Sequence, residues 1–590
     1  MSYDYNHFLT RTLLRKLACA FSLCLLVAFG LSAETREVRL KLVETSDIHG
    51  NFFPYNFIER YPWGGSLARV CAYVHQERAR YGERLLLLDN GDILQGQPTA
   101  YYYNFMDTIS EHVVSAMMNY MEYDAGNMGN HDVEAGHAVF DRWIGQCEFP
   151  VLGANIIRTS DKSPYLKPYE VFEREGVRIV VLGMITPAIP TWLPETLWSG
   201  LSFADMERTA REWMPIIQER EKPDVVVGLF HAGVQARTLA GRYREDACRE
   251  IAERVPGFDV ILMGHDHRRY CGKVANVEGD SVLLVNPANN GRAVGDVELV
   301  LTLKDGKVTD KQVTGKLVET DGLEPSAAFL REFAPQYKAV SDFVSERVGT
   351  FTEPLTTRPA YFGPSAFIDF IHTLQLSLTG ADISFAAPLS FDARIAKGDI
   401  TISDMFNLYK YENLLYTMAL TGAEIKGFLE ESYAIWTNQM RSPDDHLLLL
   451  KERENMPGEY TFLNPSFNFD SAAGILYTVD VTKPKGEKIT IRSLADGRPF
   501  ELDKTYKVAL NSYRGNGGGE LLTHGAGIPR DELKSRILFS TDKDLRYYMI
   551  QYIKEKGTLS PKPLDQWRMV PEAWIIPAAQ RDSISLFGNK

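Results

Sequence analysis

The 590-residue chain has few cysteines, no excess of positive charge and only one long apolar run. Six cysteines are too few for a scaffold built on disulfides, and a formal charge of −13 argues against bulk attraction to a nucleic acid polymer. Beyond the run Leu17–Leu31, no apolar segment approaches the ~18 residues of a membrane span. No internal repeat or low-complexity tract is present. Because a single core stops growing near ~250 to 300 residues, we expect two globular domains.

The amino-terminal 33 residues have the pattern of a cleaved signal peptide. Three basic residues precede the apolar run, which ends in the small residues Ser32 and Ala33: they are Arg11, Arg15 and Lys16. An uncleaved anchor stays open as the alternative, because Leu31 is larger than the residue usually found three before the cut. The pattern predicts a periplasmic or secreted protein that does not contact the membrane once the signal is removed.

Four cysteines remain after residue 33, namely Cys71, Cys147, Cys248 and Cys271. In an oxidising compartment Cys248 and Cys271 are candidates for a disulfide, and free buried thiols are an equal alternative. We assign these residues no chemistry.

The first 270 residues contain a series of side chains that favour metal ions. They are Asp47 and His49, Asp92 after Gly91, Asn130 and His131 after Gly129, His231, and His265 and His267 after Gly264. The set offers carboxylate, carboxamide and imidazole donors without a thiolate, which suits two divalent ions of the Zn, Mn or Co kind rather than a structural zinc.

Short aliphatic runs precede most of these residues and predict strands buried on both faces. The runs are Arg39–Val43, Leu85–Leu88, Val225–Leu229 and Val260–Met263. Helical spacing over 65–79 and 207–219 alternates with them, which predicts an α/β fold. A lone histidine after a strand, such as His231, is more often a hydrogen-bonded loop residue. Four strand ends of this kind, however, predict one site at the carboxyl ends of the strands.

The motif series D-x-H-G, G-D, G-N-H, a downstream His and G-H-x-H resembles the calcineurin-like metallophosphoesterases over residues 40–267. The resemblance implies a four-layer α/β/β/α sandwich over 34–322. It also implies one metal held by Asp47, His49 and His267, a second held by Asn130, His231 and His265, and Asp92 as the bridge between them.

His131 would stay off the metals and face the phosphoryl group. An imidazole there donates a proton to the leaving oxygen if a carboxylate keeps it protonated and oriented. Glu134, three residues later, is the candidate partner, although many members of the family have Asp at that place. A solvated loop acid is the alternative interpretation of Glu134.

Residues 323–348 predict a single connector helix, and 349–590 resemble the separate α+β carboxy-terminal domain of secreted nucleotidases. The resemblance rests on the G-D-I-T stretch at 398–401, the aromatic stretch 409–413 and two loops at 467–470 and 511–519. It implies nucleotide contacts from Phe467, Tyr513, Asn413, Gly517 and Gly518. Aromatic rings stack on any nucleobase, and Phe469 is the alternative to Phe467 in that role. The family's Asn-x-Gly-Gly-x-Arg stretch is absent, which leaves Arg394 as the remaining candidate for phosphate binding.

These features together predict a two-metal enzyme that hydrolyses phosphoesters of small nucleotides. We expect 2',3'-cyclic nucleotides to be opened to 3'-nucleotides, which then lose phosphate. A 5'-nucleotidase or UDP-sugar hydrolase is the alternative within the enzyme class. A secreted nucleotide-binding protein without catalysis is the alternative outside it, although none of the seven ligand positions has eroded. A base pocket and metals on different domains also predict domain movement.

Overall fold

The computed structural model describes residues 35–236, 238–239, 243–453 and 456–588, so the predicted signal peptide lies outside the described residues. The first half of the chain forms two six-stranded sheets. In spatial order one contains Lys307–Glu319, Ala293–Lys304, Thr35–Thr45, Leu85–Asp89, Ala125–Asn127 and Val151–Leu152. The other contains Arg269–Ala275, Ser281–Pro287, Val260–Met263, Val225–His231, Val177–Ile185 and Tyr169–Arg174.

The two sheets pack face to face through aliphatic side chains. Leu86 and Leu88 from one sheet share a buried cluster with Val227, Leu229 and Leu262 from the other. Both layers are covered on their outer faces, so central strands such as Leu85–Asp89 and Val225–His231 are buried throughout. This double burial explains why they appear in the sequence as continuous aliphatic runs rather than alternating ones.

Helices complete the outer layers. Leu67–Tyr81, Val113–Tyr120 and His137–Gln146 cover one sheet, and Met206–Arg220 and Cys248–Arg254 cover the other. The predicted helices at 65–79 and 207–219 are present and begin at side-chain caps, where Ser66 and Asp205 accept from backbone N–H groups. The four-layer α/β/β/α sandwich is therefore confirmed.

The expected connector helix is two helices, Ala327–Glu332 and Ala334–Ser345, that meet at Phe333. Pro335 explains the break, because it lacks the N–H that a continuous helix requires and fits the first turn of a new one. Phe329, Phe333 and Val340 are buried in the outer core of the first domain. The connector therefore belongs structurally to that domain.

The second half of the chain is built on a mixed five-stranded sheet. Its strands in order are Ser471–Ala473, Ile383–Ala386, Thr505–Asn511, Leu414–Thr421 and Ile537–Asp544. Two three-stranded sheets accompany it, formed by Gly398–Thr401, Arg347–Phe351 and Thr558–Leu559, and by Ile489–Leu494, Ile475–Asp480 and Trp567–Val570. The longer helices are Ala366–Thr379, Ile402–Leu408, Gly422–Trp436, Leu545–Lys556 and Glu572–Phe587.

The two domains contact each other directly. Tyr101 of the first domain packs in an apolar cluster of the second, with its ring centroid 5.4 Å from that of Phe406, and its hydroxyl donates to Asp544 at 3.0 Å. On another part of the interface Arg60 donates to the Ser403 hydroxyl at 3.0 Å, and Ser403 donates to a backbone carbonyl of the first domain.

The four described cysteines are free thiols. Cys248 is buried, whereas Cys271 is exposed on its strand, so the candidate disulfide between them is not formed.

None of the helices in the described ranges has the length and apolar character needed to cross a membrane.

Candidate active site

The predicted ligands lie where strands end, at one edge of the double sheet. Asp47 and His49 follow Thr35–Thr45, Asp92 follows Leu85–Asp89, Asn130 follows Ala125–Asn127, His231 ends Val225–His231, and His265 and His267 follow Val260–Met263. Five of these residues have left-handed backbone, with φ between 48° and 72°: Asp47, His49, Asp92, His265 and His267. This conformation is uncommon outside glycine and concentrates at functional sites.

Two groups of donor atoms converge at this edge. Asp47, His49 and His267 place donor atoms within 4.8 Å of one another, and Asp92, His231 and His265 do the same. In the first group, Nε2 of His49 lies 3.0 Å from Nε2 of His267, which lies 3.3 Å from an Asp47 oxygen.

In the second group, Nε2 of His231 lies 3.1 Å from Asp92 and 3.2 Å from the Asn130 carboxamide oxygen. Facing nitrogens and oxygens of this kind, with buried carboxylates between them, fit a pair of divalent cations. The structure thus places Asn130 beside the second group. Its role as a metal ligand and the bridging position of Asp92 stay predictions.

Before any cation is present, the candidate ligands differ in how ready they are to bind a metal. Burial, together with His267, lowers the pKa of His49 to about 3, so its imidazole is neutral. Burial acts to raise the pKa of Asp92, but the neighbouring His231 and His131 outweigh it and hold that pKa well below the ordinary value. Burial acts to lower the pKa of His231, yet the Asp92 charge raises it to about 10. A cation must therefore displace a proton from His231, and binding should release protons.

Residues that the sequence did not single out hold the ligands in place. Nδ1 of His231 donates to the Asn90 carbonyl oxygen at 2.6 Å, which leaves Nε2 toward Asp92. Nε2 of His265 donates to the buried Glu245 at 2.9 Å. Partners of this kind fix the ring orientation and the tautomer of metal-binding histidines.

Asp132 accepts backbone N–H groups from both ligand loops. Its buried carboxylate accepts from Asp92, Ile93 and Leu94 at 2.8 to 2.9 Å and from Gly129 at 2.8 Å. Gly129 is required by the same close approach, because a Cβ there would lie 2.1 Å from an Asp92 oxygen. Gly91 and Gly129, the glycines of the G-D and G-N-H motifs, therefore allow the two loops to pack closely around Asp92.

His131 and Glu134 are in contact, and their joint catalytic role stays a prediction. Nδ1 of His131 lies 2.5 Å from Glu134, and the His131 ring centroid lies 5.4 Å from that of His49. Burial acts to lower the pKa of His131, but the charges of Asp92 and Glu134 raise it to about 9. The pair sits on the one-turn helix Asn130–Glu134, whose three-residue spacing brings the two side chains together.

A cavity of about 660 Å³ lies between the two domains, beside the donor groups. The first domain lines it with Asn130, His131, Glu134, His265, Arg268 and an apolar wall from Trp192 to Leu197. The second domain lines it with Leu389, Tyr411, Glu412, Asn413, Phe467 and Tyr513. The volume is in the range of about 300 to 1,000 Å³ that is usual for small-molecule pockets.

Comparison with protein-family models identifies both halves. Residues 40–269 match the model for calcineurin-like phosphoesterase, and residues 347–524 match the model for the 5'-nucleotidase C-terminal domain. The chain joins a calcineurin-like phosphoesterase domain to a 5'-nucleotidase C-terminal domain. The first is called here the phosphoesterase domain and the second the nucleotidase domain.

Individual proteins resemble the chain over most of its length. It is 26% identical to the trifunctional nucleotide phosphoesterase protein YfkN of Bacillus subtilis, with 91% of the chain but 39% of that longer protein aligned. It is 26% identical to the 2',3'-cyclic-nucleotide 2'-phosphodiesterase/3'-nucleotidase of Salmonella typhimurium, with 93% of the chain and 91% of the relative aligned.

Solved structures support the fold. A Staphylococcus aureus protein named as a candidate 5'-nucleotidase aligns with a TM-score of 0.74, 21% identity and coverage of 90% of this chain and 100% of that one. A 5'-nucleotidase precursor from Thermus thermophilus aligns with a TM-score of 0.61, 20% identity and coverage of 91% and 100%. At these identities the likeness bears on the fold alone.

In the nucleotidase domain, Phe467 and Tyr513 face the cavity from two different loops. Their ring centroids are 6.2 Å apart and their planes meet at 85°, so in this arrangement they form an edge contact rather than two parallel walls. Asn413 also lines the cavity, whereas Phe469 is fully buried and stacks on Trp436 in the core. The alternative role of Phe469 in stacking therefore has no support.

Gly517 and Gly518 are not among the residues that line the cavity. Gly518 lies against Tyr513, where a Cβ would come 2.5 Å from the ring, and Gly517 adopts φ of 92°. Their place in the structure is to let the Tyr513 loop fold tightly. Arg394 is exposed on the short strand Arg394–Ile395 and also lies outside the lining.

Arg514 connects the two aromatic loops. This buried guanidinium lies 2.5 Å from Asp470 and donates to the Phe467 carbonyl at 3.1 Å and to the Asn468 carboxamide at 3.2 Å. It also donates to the Gly518 carbonyl. The sequence contained Arg514 inside the predicted loop, but nothing in the pattern indicated that it would point away from the cavity.

Proposed function

We propose that this protein is a two-metal phosphoesterase that opens 2',3'-cyclic nucleotides and then removes the 3'-phosphate. The observation that carries the proposal is a cavity that extends from His265 of one donor group, with Asn130 and His131 beside it, to Phe467 and Tyr513 on the other domain. The names of the relatives aligned over nine-tenths of the chain support this substrate class.

The residues that would hold the metals are Asp47, His49 and His267 for one, Asn130, His231 and His265 for the other, and Asp92 between them. Two divalent cations of the Zn, Mn or Co kind would supply Lewis acidity to the phosphoryl oxygens and an activated water. Carboxylate and imidazole donors of this kind suit such cations better than Mg²⁺, which prefers oxygen ligands and retained waters.

His131 would donate a proton to the departing ribose oxygen. The Glu134 carboxylate lies 2.5 Å from Nδ1, where it favours the protonated ring and orients it. Nε2 is then the nitrogen that carries the proton toward the substrate. Phe467 and Tyr513 would hold the base, because aromatic stacking contributes about 1 to 3 kcal/mol per base with little sequence preference.

A substrate panel on the metal-loaded mature chain tests the proposal. We expect higher kcat/KM on 2',3'-cyclic AMP and 3'-AMP than on 5'-AMP or a UDP-sugar. A preference for 5'-AMP would favour the 5'-nucleotidase alternative, which the likeness to Protein UshA of Escherichia coli supports at 22% identity over 84% of the chain. Nucleotide binding with turnover no greater than that of Asn130→Ala and His131→Ala would instead indicate a binding protein.

The amino-terminal pattern supports export to the periplasm or outside the cell. The expected result is a mature protein that begins after Ala33, which sequencing of the amino terminus of purified protein would establish. A protein that retains residues 1–33 would favour the uncleaved anchor.

A further inference from the structure

Among the described residues that line the cavity between the domains, one carries a guanidinium, Arg268. Neither a lysine nor a second arginine is present among the described residues of its lining. Five acidic residues line the same space, namely Glu134, Glu245, Asp246, Asp266 and Glu412. A phosphorylated substrate that enters here meets the metal-binding groups and a single guanidinium.

Arg268 is placed beside the metal-binding groups and is free to act. It directly follows the ligand His267, and its backbone N–H donates to Asp266 at 3.0 Å, which Asn286 in turn holds at 2.9 Å. Its own side chain is exposed and forms no ion pair or hydrogen bond with the part of the chain that the structure describes. The backbone at Arg268 is therefore held in place, while its guanidinium can bind a substrate.

The next residue makes the contrast clear. Arg269 begins the strand Arg269–Ala275 and binds Glu319 at 2.6 and 2.8 Å, outside the cavity. Two adjacent arginines thus have different surroundings, and only one of them faces the site.

Within the described residues of the nucleotidase domain, no arginine supplies a free guanidinium to this space. Arg514 forms an ion pair with Asp470, and the fully buried Arg546 forms one with Glu412 at 3.0 Å. Arg394 lies outside the lining. The absence of the Asn-x-Gly-Gly-x-Arg stretch from the sequence agrees with this distribution.

We propose that Arg268 binds the phosphate of the 3'-nucleotide and determines how well the protein hydrolyses phosphomonoesters relative to cyclic diesters. The proposal rests on the proposed function. A monoester loses its second proton near pH 6 and carries almost two negative charges at neutral pH, whereas a cyclic diester carries one. A guanidinium also presents two parallel N–H groups to two phosphate oxygens, and the monoester has one more unesterified oxygen to offer.

The test is the ratio of the two activities in Arg268→Ala. We expect kcat/KM on 3'-AMP to fall about tenfold or more, and that on 2',3'-cyclic AMP less than about threefold, as for loss of one charge-assisted hydrogen bond. During hydrolysis of 2',3'-cyclic AMP followed by chromatography, 3'-AMP should accumulate with the variant more than with wild type. Arg268→Lys keeps the positive charge but loses the two parallel N–H groups of the guanidinium. This variant should give a ratio of the two activities between those of wild type and Arg268→Ala.

Arg269→Ala is the matched control and should keep the wild-type ratio. Metal content of each variant is measured in parallel, because Arg268 adjoins a ligand. Equal losses on both substrates with two metals retained, or no loss on either, would overturn the role of Arg268. Wild-type protein that hydrolyses neither substrate would instead overturn the proposed function, so the two failures are distinguishable.

Discussion

Asp132 shows how much of the site depends on residues that never touch a substrate. One buried carboxylate accepts four backbone N–H groups and so fixes the loop that carries Asp92 relative to the loop that carries Asn130. Burial, the largest influence, raises the pKa of Asp132 to about 6 despite these donors. The motif G-N-H was visible in the sequence, but the role of the residue that follows it was not.

Glu245 provides a prediction about metal affinity. Glu245→Gln should weaken binding of the metal at His265 about 10- to 100-fold, because the carboxylate that orients the ring is lost. Calorimetric titration of the metal-free protein with Mn²⁺ or Zn²⁺ measures this, and d–d spectra with Co²⁺ should change for one of two sites. Glu253→Gln on the exposed face of the helix Cys248–Arg254 is the control. If Glu245→Gln binds both metals as tightly as wild type, Glu245 has no role in metal binding.

Glu134 provides a prediction about pH dependence. The Glu134 charge helps to raise the pKa of His131 to about 9, so Glu134→Gln should lower that pKa. If protonated His131 donates to the leaving oxygen, activity is lost as pH rises through its pKa. The alkaline limb of the kcat profile on 3'-AMP should therefore move to lower pH.

A substrate with a good leaving group, such as a p-nitrophenyl ester, should be affected less by Glu134→Gln, because proton donation matters less to it. Glu148→Gln, at an exposed position, serves as the control. An unchanged alkaline limb would argue that Glu134 is only a loop acid.

At the scale of elements, Arg514 is the part of the nucleotidase domain on which both aromatic loops depend. Arg514→Met should lower the free energy of unfolding by about 3 to 5 kcal/mol, because it leaves the buried Asp470 without its partner. The thermal transition of the nucleotidase domain measures this. KM for 3'-AMP should rise at the same time, since Phe467 and Tyr513 lose their common anchor.

The surface pair of Arg498 and Asp496 offers a matched comparison for that change. Both side chains are exposed, so Arg498→Met should change stability by less than about 1 kcal/mol. If the two arginine variants behaved alike, the connection between the loops through Arg514 would not be a stabilising one.

Most elements near the metals followed from the sequence, and the exceptions have identifiable causes. Aliphatic runs such as Val225–Leu229 predicted strands because they are buried on both faces. The connector was expected as a single helix, but Pro335 divides it and the aromatic residues around it pack on the phosphoesterase domain. The left-handed backbone at Asp47, His49 and Asp92 had no sequence signal, because non-glycine residues adopt it only where surrounding structure imposes it.

At the scale of the whole molecule, the substrate cavity exists only because two domains meet. Its walls come from segments that lie hundreds of residues apart, such as Trp192 and Tyr513, and the sequence could not reveal their separation or angle. Gln95 of the phosphoesterase domain donates to Glu412 of the nucleotidase domain at 3.1 Å, directly beside the cavity. The rings of Phe467 and Tyr513 meet at 85°, edge to face, so a base that stacks between them requires them to separate.

Domain movement is the prediction that belongs to this scale. We expect X-ray scattering to show a smaller radius of gyration when a nonhydrolysable 2',3'-cyclic nucleotide analogue is added to metal-loaded protein. His131→Ala should compact in the same way, because it retains both metal groups and the aromatic loops. Superimposable profiles with and without the analogue, at concentrations that saturate binding, would contradict the prediction.

The division of the cavity between two bodies has a consequence for regioselectivity. If the proposed function is correct, a nucleotide is bound at its phosphorus by one domain and at its heterocycle by the other, so the distance between the domains fixes the position of the ribose. Discrimination among 2', 3' and 5' isomers is then a property of how the halves are spaced. Substitutions at the domain interface, far from the metal-binding groups and the aromatic rings, should therefore change which isomer is preferred. Every candidate metal ligand and every aromatic ring would stay the same.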